Sequence, residues 1–181
     1  MGIRAVKAVF FDRDGVLNEA IVRDGLPYSP PNLEQLKVVA DAPEALALLK
    51  TAGFLLIVVT NQPEVARGTV TRPEVEAMNT AVNRALPIDQ FFICWHDDPD
   101  QCRCRKPKPG LIEQAAERYG IDLAHSFLVG DRWRDVDAGA AAGCRTILID
   151  HHYRERPPAK EPDYRARSLA AAARWILENA E

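Results

Sequence analysis

The sequence lacks any apolar run long enough to cross a membrane. Its 181 residues are 47% apolar and 27% charged, and each apolar run stays far below the roughly 18 residues that a membrane helix requires. The N-terminal residues show neither the apolar core nor the cleavage site of a secretion signal. No sign of charge dominates, because 23 Lys and Arg stand against 26 Asp and Glu. We therefore expect a monomeric cytoplasmic protein of one domain over residues 1–181, without nucleic-acid or membrane partners.

Cysteine is scarce but clustered. There are four cysteines, and Cys144 stands apart from the other three. Without a secretion signal the thiols are expected to stay reduced, which argues against a disulfide framework. Three thiolates and an imidazole form a complete tetrahedral set for zinc, although a group of buried thiols is the alternative. We predict one structural zinc ion in the loop 94–104. Its ligands would be Cys94, His96, Cys102 and Cys104.

Five short apolar runs alternate with amphipathic segments. Near-continuous runs of Val, Ile, Leu and Phe are typical of parallel strands that are covered on both faces. Asp41 and Thr71 precede a proline and a glutamate as helix N-caps do, and a last helix is predicted over 168–179. We predict an α/β fold with a Rossmann-like parallel sheet of about five strands, helices on both faces and no large cap domain. The runs cover residues 5–11, 54–60, 90–94, 126–129 and 146–149.

Polar side chains follow the first four of these runs. Because ligands bind outside the carboxyl ends of the strands in an open parallel sheet, we expect these side chains to share one edge. The segment 18–32 contains three prolines and is predicted to be a loop, and loops of that length are often functional. The residues near the ends of the runs are Asp12, Asp14, Thr60, Asn61, Lys106, Asp131 and Asp135.

The residue types at this edge suit phosphate-ester hydrolysis. Carboxylates that lie together repel one another unless a cation separates them, and oxygen ligands favour Mg²⁺. We predict that Asp12 attacks phosphorus and that Asp14 protonates the leaving oxygen and then activates water. Lys106 and the hydroxyl of Thr60 would stabilise the phosphoryl group. Asp135 either belongs to the shell around the metal or is a structural carboxylate at the start of a helix.

Four motifs occupy these positions: FDRDGVLN at residues 11–18, Thr60, Lys106, and GDRWRD at residues 130–135. They resemble motifs I to IV of the haloacid dehalogenase superfamily of phosphatases, and the resemblance covers roughly residues 5–150. It implies catalysis through an aspartyl-phosphate. It also implies that Mg²⁺ is bound by Asp12, Asp131 and the main-chain carbonyl of Asp14.

Two branches of that superfamily, the heptose 1,7-bisphosphate 7-phosphatases and the histidinol-phosphate phosphatases, show the closer resemblance. Both carry Asp-Arg-Asp-Gly, Thr-Asn-Gln and Cys-x-Cys-Arg-Lys-Pro, which this chain has at residues 12–15, 60–62 and 102–107. This chain also has Ala-Arg-Gly at residues 66–68, as the heptose enzymes do. The resemblance implies removal of the 7-phosphate of D-glycero-D-manno-heptose 1,7-bisphosphate. Histidinol phosphate or another small phosphomonoester is the alternative. The predicted substrate contacts are Arg13, Asn18, Asn61, Gln62, Arg67, Arg105 and Arg132.

Two other classes of protein share part of this pattern. A signalling receiver domain carries an adjacent acidic pair on its first strand and its phosphorylated Asp on the third. This chain has Asp-x-Asp at residues 12–14, and its third run ends in Cys94. The second is a non-catalytic, zinc-containing binding domain whose phosphatase residues are vestigial. A turnover assay with Mg²⁺ distinguishes it from an enzyme.

Overall fold

A parallel sheet of six strands forms the centre of the protein, in a computed structural model that describes residues 6–180. The strands are β1 (Ala8–Phe11), β2 (Ile21–Arg23), β3 (Leu26–Tyr28), β4 (Leu55–Asn61), β5 (Gln90–Cys94), β6 (Phe127–Gly130), β7 (Arg145–Ile149) and β8 (Tyr164–Ala166). The strand order of the sheet is β5-β4-β1-β6-β7-β8, and β2 and β3 form a separate antiparallel hairpin. β1 therefore lies near the middle of the sheet, between β4 and β6.

Five α-helices connect or follow the strands. They are α1 (Ala42–Thr51), α2 (Arg72–Ala85), α3 (Gly110–Tyr119), α4 (Trp133–Ala142) and α5 (Leu169–Asn179). Thr71 caps α2 as its sequence predicts, because its hydroxyl accepts from the main-chain N–H of Glu74 and the Glu74 carboxylate accepts from that of Thr71. Asp41 precedes α1 but does not cap it; its carboxylate accepts from the main-chain N–H of Ala170 at 2.8 Å and ties α1 to α5.

The helices bury the two faces of the sheet in separate apolar layers. Alternate residues of β1 point to opposite faces, so that Val9 and Phe11 pack with α1 and α5, whereas Ala8 and Phe10 pack with α3 and α4. β4 alternates in the same way. Because both faces of the sheet are covered, residues that point to either face are apolar, and these strands are continuous apolar runs in the sequence.

The predicted α/β fold with a parallel sheet and helices on both faces is confirmed. The five predicted strands are present, four of them with changed ends, and residue 5 of the first run lies outside the described residues. The sheet has a sixth strand, β8, which the sequence did not predict because three residues after a proline-rich segment carry no clear apolar pattern. In the part of the chain that the structure describes, no helix is long and apolar enough to span a membrane.

The predicted loop over residues 18–32 contains the hairpin β2–β3. This hairpin and a 3-10 helix, Leu33–Gln35, fill the connection between β1 and α1. The hairpin stands at the carboxyl end of β1, where Pro27, Tyr28 and Ser29 form part of a cavity wall together with Asp12. The insertion therefore shapes the site at the edge of the sheet.

Candidate active site

The carboxyl end of the sheet brings three carboxylates and one lysine into a buried cluster. Asp12 follows β1, Asp131 follows β6, and Asp135 lies in the first turn of α4. Lys106 comes from the loop after β5, and its Nζ lies 2.9 Å from Asp12 Oδ1 and 2.6 Å from Asp135 Oδ1. Nζ also donates to the main-chain oxygen of Val59 at 2.7 Å. The cluster thus contains three carboxylates and one lysine, which pairs with two of them.

This excess of negative charge fits a divalent cation. Ligand oxygens of Asp12, Asp131 and Asp135 all lie within 4.8 Å of one another. Both carboxylate oxygens of Asp131 are buried and have no hydrogen-bond partner of standard geometry among the described residues, although the Tyr153 hydroxyl lies close enough to act against the rise of the Asp131 pKa. Burial raises the pKa of Asp12 to about 6 and that of Asp131 well above its ordinary value, and the neighbouring carboxylates add to both shifts. Buried oxygen ligands without partners are the donor set that Mg²⁺ prefers.

Gly15 allows the chain to pass close to this cluster. Its φ is +84°, and a Cβ atom there would lie 1.8 Å from Asp131 Oδ2. The residue after Asp14 must therefore lack a side chain, which gives the Asp-x-Asp-Gly pattern a physical cause.

The loop that carries Lys106 is held by Asn61. The Asn61 side chain accepts from the main-chain N–H of Lys106 and donates to its main-chain oxygen, both at 3.1 Å. Burial would lower the pKa of Lys106, but the carboxylates of Asp12 and Asp135 raise it above its ordinary value. The lysine is therefore a fixed cation in the cavity wall. Asn61 also lines that cavity, but both ends of its amide are engaged by the loop.

Four side chains hold the carboxylate of Asp14. Arg13 donates to it at 3.0 to 3.2 Å, Asn18 at 3.0 Å, Ser29 at 2.8 Å and Gln62 at 2.9 Å. Burial would raise the pKa of Asp14, but the Arg13 charge and these hydrogen bonds lower it below its ordinary value. Asp14 is therefore an ionised carboxylate in a fixed orientation.

Three of these donors are fully buried. Arg13, Asn18 and Gln62 are predicted to bind substrate, and their exposed fractions are 0%, 0% and 1%. All three donate to Asp14, and none of them lines the cavity that contains Asp12. The hydroxyl of Thr60 is also buried and accepts from Gln62 at 3.0 Å. Thr60 thus lies behind Asp14.

Three other predicted contacts, Arg67, Arg105 and Arg132, line a groove that adjoins the cavity. Each pairs with an acidic residue. Arg67 donates to Asp97 at 2.6 and 2.9 Å, Arg105 donates to Asp98 at 2.7 Å, and Arg132 donates to Glu155 at 3.0 and 3.1 Å. Arg132 lines both the cavity and the groove. The groove is therefore rich in cations whose charges are met by carboxylates.

The predicted zinc ligands form a second cluster, with all ligand atoms within 4.8 Å of one another. A tetrahedral ion with Zn–S bonds of about 2.3 Å and a Zn–N bond of about 2.0 Å requires S···S and S···N separations of about 3.8 and about 3.5 Å. The three S···S distances among Cys94, Cys102 and Cys104 are 3.2 to 3.7 Å. His96 Nδ1 lies 3.7 Å from Cys94 Sγ and 3.3 Å from Cys104 Sγ. These distances match a tetrahedral zinc site.

Comparison with known proteins identifies the family. A family profile described as HAD-hydrolase-like matches residues 103–172. The D-glycero-β-D-manno-heptose-1,7-bisphosphate 7-phosphatase of Bordetella bronchiseptica is 33% identical over 184 residues, which is 97% of this chain and 100% of the relative. The enzyme of that name from Escherichia coli K12 is 32% identical, over 97% of this chain and 91% of the relative. The chain belongs to the haloacid dehalogenase-like phosphatases.

A solved structure agrees with this assignment. The structure of D,D-heptose 1,7-bisphosphate phosphatase from B. bronchiseptica, complexed with magnesium and phosphate, superposes on this chain with a TM-score of 0.77. The two sequences are 29% identical, and the superposition covers 97% of this chain and 100% of that one. The haloacid dehalogenase-like phosphatase described here is thus a phosphoric monoester hydrolase, as predicted. The interpretation as a signalling receiver domain is wrong.

Sequence analysis missed three residues at the site of this phosphatase. Ser29 donates to Asp14 from the hairpin, and Arg134 lines the cavity and the groove. Tyr153 lies beside Asp131, and burial together with the Asp131 charge raises its pKa. Tyr153 follows β7, so the strand-end argument extended to the fifth run would have found this segment. Ser29 and Arg134 have no such signal, because their roles depend on where the hairpin and α4 pack.

Proposed function

We propose that this phosphatase removes the 7-phosphate of D-glycero-D-manno-heptose 1,7-bisphosphate through an aspartyl-phosphate on Asp12. The observation that carries the proposal is the buried cluster in which Lys106 contacts Asp12 and Asp135 while Asp131 keeps two unpartnered oxygens. The names of the curated relatives support the choice of sugar. The arginine-lined groove beside the cavity supports a substrate with a second phosphate.

The reaction follows from the positions of Asp12 and Asp14. A carboxylate oxygen of Asp12 forms a bond to phosphorus while the bond from phosphorus to the sugar oxygen breaks. Asp14 enters this step protonated, by solvent in the first turnover and by the attacking water of the preceding turnover afterwards, and gives that proton to the sugar oxygen. Asp14 then takes a proton from water as the water oxygen bonds to phosphorus. The bond from Asp12 to phosphorus breaks, which releases phosphate and restores the carboxylate.

The surroundings of Asp14 favour the second of these steps. Its four donors stabilise the ionised carboxylate, which is the form that accepts a proton from water. Protonation for the first step costs part of this hydrogen bonding. Ser29 follows the hairpin directly and is the one donor of the four that lines the cavity. A substrate in the cavity can therefore touch Ser29 itself.

Magnesium would be held by Asp12, Asp131 and the main-chain carbonyl of Asp14. When bound, Mg²⁺ neutralises negative charge on the phosphoryl oxygens. Lys106 supplies a second positive charge to the same oxygens. Asp135 accepts from Lys106 and from the main-chain N–H of Arg132 at 3.0 Å, and we assign it to the positioning of Lys106.

The cysteine cluster would hold one structural zinc ion close to the catalytic lysine. The main-chain N–H of Arg105 donates to Cys102 Sγ at 3.3 Å, and Lys106 is the next residue. Three thiolates and one imidazole leave no position for water, so this metal takes no part in the reaction. Its role is to fix the loop from which Arg105 and Lys106 extend.

A substrate panel tests the proposal. Phosphate release is measured with both anomers of heptose 1,7-bisphosphate, histidinol phosphate and several hexose monophosphates, and ³¹P NMR identifies the phosphate that remains. We expect the highest kcat/KM for a heptose bisphosphate, with the 1-phosphate retained. A higher kcat/KM for histidinol phosphate, or loss of the 1-phosphate, contradicts the assignment. Absence of turnover with every compound and added Mg²⁺ contradicts the proposed substrate class.

A further inference from the structure

Two arginines of the groove converge on one exposed carboxylate, Asp98. Arg105 Nε donates to Asp98 Oδ1 at 2.7 Å. Arg134 approaches the same carboxylate from α4, with Nη1 3.4 Å from Oδ1 and Nη2 3.3 Å from Oδ2. The Asp98 side chain is 58% exposed, whereas those of Arg105 and Arg134 are 11% and 22% exposed. The cations are thus held in place and the anion between them faces solvent.

Each guanidinium is also held by contacts other than Asp98. Arg105 Nη1 donates to the main-chain oxygen of His96 at 3.4 Å. Arg134 Nη1 donates to the main-chain oxygen of Lys106 at 3.3 Å, and its guanidinium lies 4.6 Å from the centre of the Trp133 ring. The two arginines therefore keep their orientation when Asp98 moves away.

We infer that Asp98 occupies the site of the substrate's non-reacting phosphate and must be displaced when that phosphate binds. Arg105 and Arg134 both line the groove, and Arg134 also lines the cavity that contains Asp12. A phosphate offers these two planar donors more acceptor oxygens and more charge than a carboxylate does. This inference rests on the proposed function, because it requires a bisphosphate substrate.

The neighbouring acidic residue Asp97 does not have this role. Its side chain is 19% exposed, pairs with Arg67 and, at 3.4 Å, with Arg105 Nη2, but not with Arg134. It also accepts from the main-chain N–H of Asp98, where it caps a 3-10 helix. Asp98 is more exposed and its carboxylate pairs with Arg105 and Arg134. It is the carboxylate that can swing into solvent without disturbing the loop.

Displacement of Asp98 makes it a residue that determines specificity. A 7-monophosphate binds with Asp98 in place and does not depend on its charge, whereas a bisphosphate must displace Asp98 before its second phosphate reaches the two arginines. Asp98 also weakens bisphosphate binding, because its own pairing with the arginines must be broken. Removing its charge should therefore increase the preference for the bisphosphate.

The test compares kcat/KM for heptose 1,7-bisphosphate and heptose 7-phosphate, which differ only in the second phosphate. In Asp98→Asn the ratio of the two values should rise about two- to fivefold, the range in which partly exposed ion pairs contribute. In Arg134→Gln the ratio should fall about tenfold, because a charge-assisted contact is lost. Glu161→Gln is the matched control, since Glu161 pairs with Arg165 outside the groove and is 76% exposed. Its ratio should equal that of the original chain.

The outcomes separate this inference from the proposed function. If the original chain prefers the bisphosphate but the ratio is unchanged or reduced in Asp98→Asn, the inference is wrong and the proposed function stands. If the original chain shows no preference for the bisphosphate, the proposed substrate class is wrong and the inference falls with it. Melting temperature and zinc content are measured for each variant, so that a changed ratio in a folded, zinc-loaded protein is attributed to the groove.

Discussion

Replacement of Arg13 by methionine tests whether this buried arginine positions Asp14 or binds substrate. Arg13 is fully buried, donates to both oxygens of Asp14, and donates to the side-chain oxygen of Asn79 at 2.8 Å. Methionine keeps much of the side-chain length but removes the charge and every donor. The Asp14 carboxylate and the Asn79 amide would then lose buried partners.

The structure sets the expected size of the effect. Removing one partner of a buried ion pair costs about 3–5 kcal/mol of the free energy of unfolding. In a domain of this size each kcal/mol lowers Tm by about 2–4 °C, so we expect a fall of about 6–20 °C. Because Asp14 loses its fixed orientation, kcat should also fall. KM should change little, because Arg13 has no surface in the cavity.

Thermal unfolding and steady-state kinetics on Arg13→Met measure these effects. Arg84→Met is the control, because Arg84 is exposed in the last turn of α2 and the same exchange there should cost less than about 1 kcal/mol. A large rise in KM with Tm within a degree of the original value would refute the reasoning and return Arg13 to the substrate site.

Three further predictions follow from the site. Mg²⁺ should raise Tm, and Asp131→Asn should abolish that rise, because Asp131 supplies two unpartnered oxygens; calorimetry with and without EDTA checks this. Cys102→Ser should lower both zinc content, measured by elemental analysis, and kcat, because Lys106 follows the zinc loop; full activity without zinc contradicts it. Ser29→Ala should lower kcat with little change in Tm, because Asp14 loses one of four donors, and Ser29→Thr should restore part of the activity.

The sequence predicted the central features of the fold because burial on both faces leaves a clear pattern. The runs that became β1 and β4 are continuous and apolar, and each is followed by polar residues that meet at one sheet edge. The cluster of Asp12, Lys106 and Asp131 follows from that topology alone. The cluster of three cysteines and one histidine was predictable for another reason, because soft ligands this close in sequence are typical of a metal site.

The features that the sequence did not predict depend on tertiary packing. Arg13 lies between Asp12 and Asp14 in the sequence, and only the structure shows that its side chain points away from the cavity and donates to Asn79. β8 and the strands of the hairpin β2–β3 are too short to show the alternation of apolar and polar residues that identifies a strand in a sequence. Ser29 and Asp14 are fifteen residues apart in the sequence, and their contact depends on how the hairpin folds back over β1.

The most direct test of the account is the turnover number of Asp12→Asn with heptose 1,7-bisphosphate. Asparagine keeps the shape of the side chain but removes the charge that attacks phosphorus, so kcat should fall at least about a thousandfold. Zinc content should be unchanged and the melting transition should remain cooperative. A folded, zinc-loaded Asp12→Asn protein that turns over within tenfold of the original chain would contradict the assignment of Asp12 as the nucleophile.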